Sequence, residues 1–386
     1  MLSDENTPFD KSIRALNNWL QEIKAKIKKG YDESITKLRR AILDVGKKML
    51  KQLKQAKKKW FKTYRQELEE LIEKLRNGKA KVIISGDPFN KDRGFIAYLY
   101  AGNLAIEVAR VAGSGSITMR IALTGLKGVH VITPKLFDDS ELRAMQYGLL
   151  LTDGSIHKKG YLVMDTNQLW QAIAWPLTWP GKNHVYVHGI SLNDSNVDIT
   201  WHLTAMEYKD SLESKAVVAE EVSKLSNEEF LLFLLFAILG DGDVNIEKKR
   251  VRLAMGKSKH KLWGGEAIKR LEGLGFREND RGHVINYVVK SSKAVDLARR
   301  TLSDLLIKAL IDDLSALPDA EKLRRLITLV GMRIKPRGRF LIEVASIKMS
   351  VYVNNSGCVE VRVMRKDYGG SQSHLREVEG RWLRGG

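Results

Sequence analysis

Apolar positions in the first eighty residues recur at three- and four-residue steps. Ile13, Leu16, Leu20, Ile23 and Ile27 form one stripe, with Pro8 suited to a first helical turn and Gly30 to a stop. A second runs through Ile35, Leu38, Ile42, Val45, Met49, Leu53, Ala56, Trp60, Tyr64, Leu68, Leu71 and Leu75. Its mean step is that of a straight helix rather than a supercoiled heptad, although Gly46 weakens its continuity. From 81 to 134 the period shifts towards two, and 81–85, 95–100, 116–123 and 129–132 read as strands. The GSGS at 113–116 lacks the Gly-Lys-Ser/Thr ending of a phosphate loop and reads as a turn. Beyond 333 the pattern again alternates, around a turn at 354–357 that could bring these strands to those of 81–134.

The middle of the chain repeats itself. DDSELRAMQYGLLLTDGSI begins at Asp138 and SNEEFLLFLLFAILGDGDV at Ser226. Each opens on a capping pattern, Asp138 with Glu141 and Ser226 with Glu229, and each closes on Asp-Gly, at Asp153 and Asp241. Both ends are displaced by 88 positions, 138 to 226 and 153 to 241. After Asp153 come a strand pair (155–164), a helix (167–179), two strands (184–192, 197–205) and a helix (211–225). After Asp241 come strands within 244–255, a helix at 258–274, a strand at 284–290 and a helix at 292–314, with the third strand short or poorly formed. The order αββαββα thus appears twice.

Charge narrows the function. Across 386 residues the net charge is +19, and residues 1–80 contribute +10 of it (21 Lys/Arg against 11 Asp/Glu). Such a surplus attracts polyanions, nucleic acid first among them. Lys47, Lys48, Lys51, Lys54, Lys57, Lys58, Lys59 and Lys62 share a stretch with no acid between Asp44 and Glu67. They suit either a solvated helix face or a phosphate-gripping arm, and Lys47, Lys51, Lys54 and Lys58 are the expected phosphate contacts. Cys358 is the single cysteine, which excludes an intrachain disulfide and a cysteine-based zinc site. The longest apolar run, 230–240, is about half of a bilayer span, and the N-terminus lacks a signal-peptide pattern. A soluble, cytoplasmic protein with no membrane contact is expected.

Strand faces alternate. Val197, Ile199, Trp201 and Leu203 alternate with Asp198, Thr200, His202 and Thr204; Val185 and Val187 with His184, Tyr186 and His188; Val251 and Leu253 with Arg250 and Arg252. A ribbon of this kind fits a major groove, although ordinary solvent exposure would give the same pattern. His184 and His188, four residues apart on one strand, are about 13 Å apart and do not chelate as a pair. Trp170, Trp175 and Trp179 read as packed core rather than a base-stacking platform.

QYGLLLTDG (146–154) and LLFAILGDG (234–242) resemble the motif of the LAGLIDADG homing endonucleases, and 148–181 resembles multi-copy paralogous repeat proteins of crenarchaea. The resemblance spans roughly 138–314. It implies an α+β fold with a pseudo-two-fold αββαββα duplication, here preceded by a basic helical segment (1–80) and a β-rich module (81–135). The copies would occupy 138–225 and 226–314, with a helix and basic β-rich segment at 315–386.

The resemblance also implies that the motif helices lie side by side, converging Asp153 and Asp241 as catalytic ligands of two or more Mg²⁺ ions shared with scissile phosphates. Lys290 matches the family's lysine near the developing charge. Thr204 stands at the comparable place in the first copy, Lys209 lies further on, and Phe236 replaces a small residue at the helix contact and should splay the helices. The expected nucleic-acid contacts are Lys158, Lys159, His184, Tyr186, His188, Thr200, His202, Asn245, Arg250, Arg252 and Asn286. The expected function is a site-specific Mg²⁺-dependent DNA endonuclease acting as a monomer on double-stranded DNA. The alternative is an inactive DNA- or RNA-binding protein on the same scaffold, a regulator, maturase-like or ribosome-associated.

Overall fold

The computed structural model describes residues 7–30, 32–90, 92–110, 116–192, 197–280, 282, 284–333, 340–344, 347–353 and 359–363. The chain divides into one unit over 1–331 and a second over 332–386. The basic stripes form α1 (Asp10–Lys28), α2 (Glu33–Lys59) and α3 (Arg65–Arg76). Asp32 caps α2 by accepting from the Ser34 N–H at 2.8 Å. Gly46 does not break the helix: a Cβ there would stand 2.8 Å from Leu20 Cδ2 and 3.0 Å from Trp19 Cζ3, so its absence lets α1 lie close against α2. Between α2 and α3 the chain makes a π-helical turn, Trp60–Tyr64, where the periodicity predicted straight helix. Both aromatic residues remain buried, and the Tyr64 hydroxyl donates to the Thr124 carbonyl at 2.6 Å.

The order αββαββα then occurs twice. First come α4 (Asp139–Leu151), β6 (Gly154–Ile156), β7 (Leu162–Thr166), α5 (Leu169–Thr178), β8 (Gly181–Leu192), β9 (Val197–Ala205) and α6 (Lys215–Lys224). Then follow α7 (Asn227–Asp241), β10 (Gly242–Asn245), β11 (Arg250–Gly256), α8 (Lys257–Gly273), β12 (Arg277–Asp280), β13 (Val284–Lys290) and α9 (Ser291–Thr301). The strand orders correspond, β6-β7-β9-β8 and β10-β11-β13-β12, all antiparallel. The doubtful third strand of the second half is β12, four residues along β13. The helix expected over 292–314 is two, because Asp304 caps a new one, α10 (Leu305–Leu314), by accepting from the Ile307 N–H at 2.8 Å. The last helix among the described residues is α11 (Glu321–Gly331).

Two expected modules prove to be parts of this core. The strands β1 (Val82–Gly86), β2 (Phe95–Tyr100), β3 (Leu104–Arg110) and β4 (Ile117–Leu123) run in order and join the sheet of the first half through β8. Further along the same edge, β5 (Val129–Thr133) pairs with residues 181–185 of β8. The first eighty residues are likewise no free arm, since α2 packs on α5, β5, β8 and α10. Its apolar stripe therefore belongs to the main core. The fully buried Asp313 of α10 ties the layers together: Arg39 Nε donates to it at 2.8 Å, Lys26 Nζ lies 2.6 Å away, and Trp19 donates to its carbonyl at 2.8 Å. Trp170, Trp175 and Trp179 are buried as predicted.

In the second unit, β14 (Phe340–Val344), β15 (Ile347–Val353) and β16 (Val359–Val363) pair with one another in an antiparallel sheet. The turn expected at 354–357 and Cys358 lie outside the described residues.

Candidate functional site

The two motif helices pack along their length through equivalent positions. A Cβ on Gly148 would lie 2.7 Å from the Phe233 carbonyl oxygen and 2.7 Å from Phe236 Cβ. Gly148 and Phe236 are counterparts under the 88-residue displacement, so Phe236 Cβ sits where its own counterpart has no side chain and the helices still approach closely. One helical turn later the same device recurs, with Thr152 against its counterpart Gly240. Both helices begin with full capping boxes, at Asp138 and Ser226.

This contact brings Asp153 and Asp241 together. A Cβ on Gly240, the residue before Asp241, would stand 3.0 Å from Asp153 Oδ2. Each acid is met by the residue eighteen positions later, on the first turn of the next helix (153 to 171, 241 to 259): Gln171 Nε2 donates to Asp153, and Lys259 Nζ pairs with Asp241. Lys259 Nζ also donates to the Thr152 carbonyl at 3.2 Å, so it bridges the two motif ends. From α11, Lys322 donates to the carbonyls of Leu239 at 2.7 Å and Gly240 at 2.5 Å.

The charges act on one another. Asp153 keeps an exposed edge, but the surrounding protein pushes its carboxyl above the ordinary value, and Asp241 adds to that rise. Lys322 and Lys215, the latter from the start of α6, are both lowered by burial; Lys259 lowers Lys215 further, while the two acids oppose the shift in both lysines. Two carboxylates thus sit among three lysines. One oxygen of each acid meets a protein donor, Asp241 Oδ2 the Lys259 ammonium and Asp153 Oδ2 the Gln171 amide, and the Thr152, Leu239 and Gly240 carbonyls face ammonium groups.

Lys290 is not among these groups. It is exposed at the end of β13, opposite Arg250, whereas Gly242 aligns through Leu253 with Tyr287. Three residues along the strand and two strands across put it about 14 Å from Gly242, beyond an ion pair with Asp241. Thr204 is buried on β9, beside His184 and Val163. Lys209 stands over the Tyr161 ring, 5.8 Å from its centroid.

The expected nucleic-acid contacts fall into three groups. Lys158 and Lys159 are exposed in the β6–β7 hairpin, and Lys47, Lys51, Lys54 and Lys58 are exposed along one side of α2. Lys57 and Lys59 instead serve the fold, through Asp10 at 2.5 Å and through the carbonyls of Thr124 (3.1 Å) and Gly125 (2.8 Å). In the second half Arg250 and Arg252 share Asp243, at 3.0 and 3.8 Å. Asn245 accepts from the Lys248 N–H at 2.8 Å within a turn. Asn286 is 4% exposed between Ala254 and Asn279, which removes it from any surface contact. In the first half, His184, Tyr186, His188, Thr200 and His202 lie together on one side of β8 and β9.

Gln171, Lys259, Lys322 and Lys215 were not singled out from the sequence. The displacement of 88 that pairs the acids also pairs Gln171 with Lys259, so that much was readable. Lys322 and Lys215 sit on helices whose placement no periodicity reveals.

No model of a known protein family matches the chain, and no curated protein matches it. Among solved structures it is similar to full-length DUF199/WhiA from Thermatoga maritima, at 13% identity over 64% of this chain and 68% of that one, with a TM-score of 0.29. It is also similar to the N-terminal LAGLIDADG domain of DUF199/WhiA, at 13% identity over 50% of this chain and 89% of that one, with a TM-score of 0.28. At these TM-scores neither likeness carries a residue or a role across.

Proposed function

We propose that the chain is a nucleic-acid-binding protein on a duplicated LAGLIDADG-type scaffold whose central acids are neutralised internally, and that it does not cleave. Three things support the scaffold: two motif helices in contact, the order αββαββα twice, and matched strand order in the two halves. The observation that carries the non-catalytic reading is Lys259, whose ammonium pairs with Asp241 and binds the Thr152 carbonyl, occupying the space between the motif ends that a phosphate-bridging metal would need. The net charge of +19 and the exposed lysine line on α2 supply the attraction for phosphates. Double-stranded DNA is the partner we favour, because Arg250 and Arg252 lie on the same face of β11 and guanidiniums are the commonest readers of guanine edges in the major groove.

One observation favours the endonuclease instead: the acids do converge at the ends of α4 and α7, beside Lys259. Incubating the full chain with a genomic DNA library in Mg²⁺ and in Mn²⁺, beside an Asp153→Asn/Asp241→Asn double variant, separates the two. Retarded migration without nicks or breaks is expected. Cleavage by the wild type that the double variant lacks would sink the non-catalytic reading. Unretarded DNA and RNA at low salt would sink the nucleic-acid reading itself.

A further inference from the structure

A second cluster of ligating groups lies away from the acid pair. Asp165 of β7 stands directly opposite His202 of β9, and His202 opposite Tyr186 of β8. The ladder then slips: Val187 pairs with Trp201 and Gly189 with Thr200, leaving His188 as the extra residue of a bulge. Bulges re-aim side chains. Here the result is that His188 joins His202, with ring centroids 6.1 Å apart, although the two come from different strands. His202 Nδ1 and Asp165 Oδ1 are 2.8 Å apart, and one ligand atom from each of Asp165, His188 and His202 lies within 4.8 Å of the others.

We infer that Asp165, His188 and His202 form a three-ligand site for a divalent transition-metal ion of the zinc class. Two imidazoles and one carboxylate select such an ion over Mg²⁺, which prefers oxygen alone. Zinc bonds of about 2.0–2.1 Å require ligand atoms about 3.4 Å apart. The cluster reaches that spacing by small side-chain rotations, since Asp165 and His188 are exposed.

The fourth position is open. Asp165 and His188 line a cleft of about 470 Å³, whose other wall carries Tyr98, Tyr100, Glu107 and Arg120 from β2, β3 and β4. Three protein ligands with an open face describe a site that takes water or an exogenous donor rather than a closed structural knot. The second half has no equivalent: the matching register pair is Ala254 opposite Asn286. The site is independent of whether the protein binds nucleic acid.

Calorimetric titration of the full, tag-free chain with ZnCl₂ in Mg²⁺-containing buffer tests this. Equimolar saturable binding is expected, weakened at least about tenfold in His188→Ala, in His202→Ala and in Asp165→Asn, and unchanged in His130→Ala. Because His188 is exposed, His188→Ala is expected to keep the wild-type circular dichroism and melting temperature. Absence of saturable binding overturns the assignment. So does binding that survives the His188→Ala/His202→Ala double variant, or that is lost in His130→Ala, which would place the ion at His130 of β5 and the His184 opposite it, whose ring centroids are 5.3 Å apart.

Discussion

In the first half the acid at the helix end accepts from a neutral amide, Gln171; in the second, its counterpart is held by an ammonium, Lys259. Along the central helix pair the difference runs the other way in size, Gly148 in the first half against Phe236 in the second, yet there the two fit as knob and hole. On the strand faces the first half carries imidazoles and a carboxylate, the second guanidiniums around Asp243. The halves therefore share what packing needs, and differ wherever a side chain meets charge or solvent. Near-symmetric scaffolds permit this because a contact on the pseudo-axis joins position to counterpart, so a large residue is compensated by shrinking its own equivalent.

The sharpest way to break the comparison is at that contact. Gly148→Phe should be the more damaging change, because the Phe233 carbonyl oxygen and Phe236 Cβ both stand 2.7 Å from where its Cβ would be, and Phe236→Gly should cost about 3–5 kcal/mol for the lost side chain. Combining the two removes one of the two obstructions to the new ring and should recover part of the Gly148→Phe loss, read as a urea midpoint above that of Gly148→Phe alone. A double variant no more stable than Gly148→Phe would show that the halves are not interchangeable there.

Lys259→Ala comes next. It leaves Asp241 facing Asp153 and should cost about 2 kcal/mol, less than a fully buried pair because both partners keep some water contact. Millimolar Mg²⁺ should raise the melting temperature of this variant and leave the wild type unmoved. An equal Mg²⁺ response in both proteins would contradict internal neutralisation.

Asp153 gives a smaller effect with a definite sign. Its carboxyl titrates above the unfolded value, so the native state binds the extra proton between the two values and stability falls as pH rises through that window. Asp153→Asn should thus be more stable than wild type at pH 7, with the gain vanishing in acid below the unfolded carboxylate range. Denaturant melts at pH 3 and pH 7 read this directly. The smallest effect concerns the α2 lysines: each of Lys47, Lys51, Lys54 and Lys58 changed to Gln should lower the slope of log affinity against log salt by at most about 1. An unchanged slope in the fourfold variant would mean that this face meets no phosphate.

The element order was legible because capping pairs, Asp-Gly stops and strand alternation are local properties of sequence. The acid pair was legible because the same capping pattern and Asp-Gly stop recur 88 residues apart. Lys290 misled because family resemblance fixes a strand end but not its register, and Arg250↔Lys290 pairing places that end far from Gly242. Asn286 misled because alternation assigns a side without saying what covers it. The cluster at His188 was hidden for a different reason: a two-residue period keeps His184 and His188 apart, and the ligand that His188 does meet comes from across the ladder, beyond a bulge no pattern announces.

The strand β8 carries one more consequence. One side of it is covered by β9, and the other is shared in succession by β5 over 181–185 and β4 over 189–192. A fragment cut to the apparent duplication, 138–314, would keep β9 and lose both other neighbours, baring a long row of unpaired amides and carbonyls beside the buried tryptophans of α5. Bare edges of that kind recruit other chains. Such a fragment should come out of solution as aggregate or as a strand-exchanged dimer, and the smallest autonomous form of this protein should begin well upstream of its first motif helix.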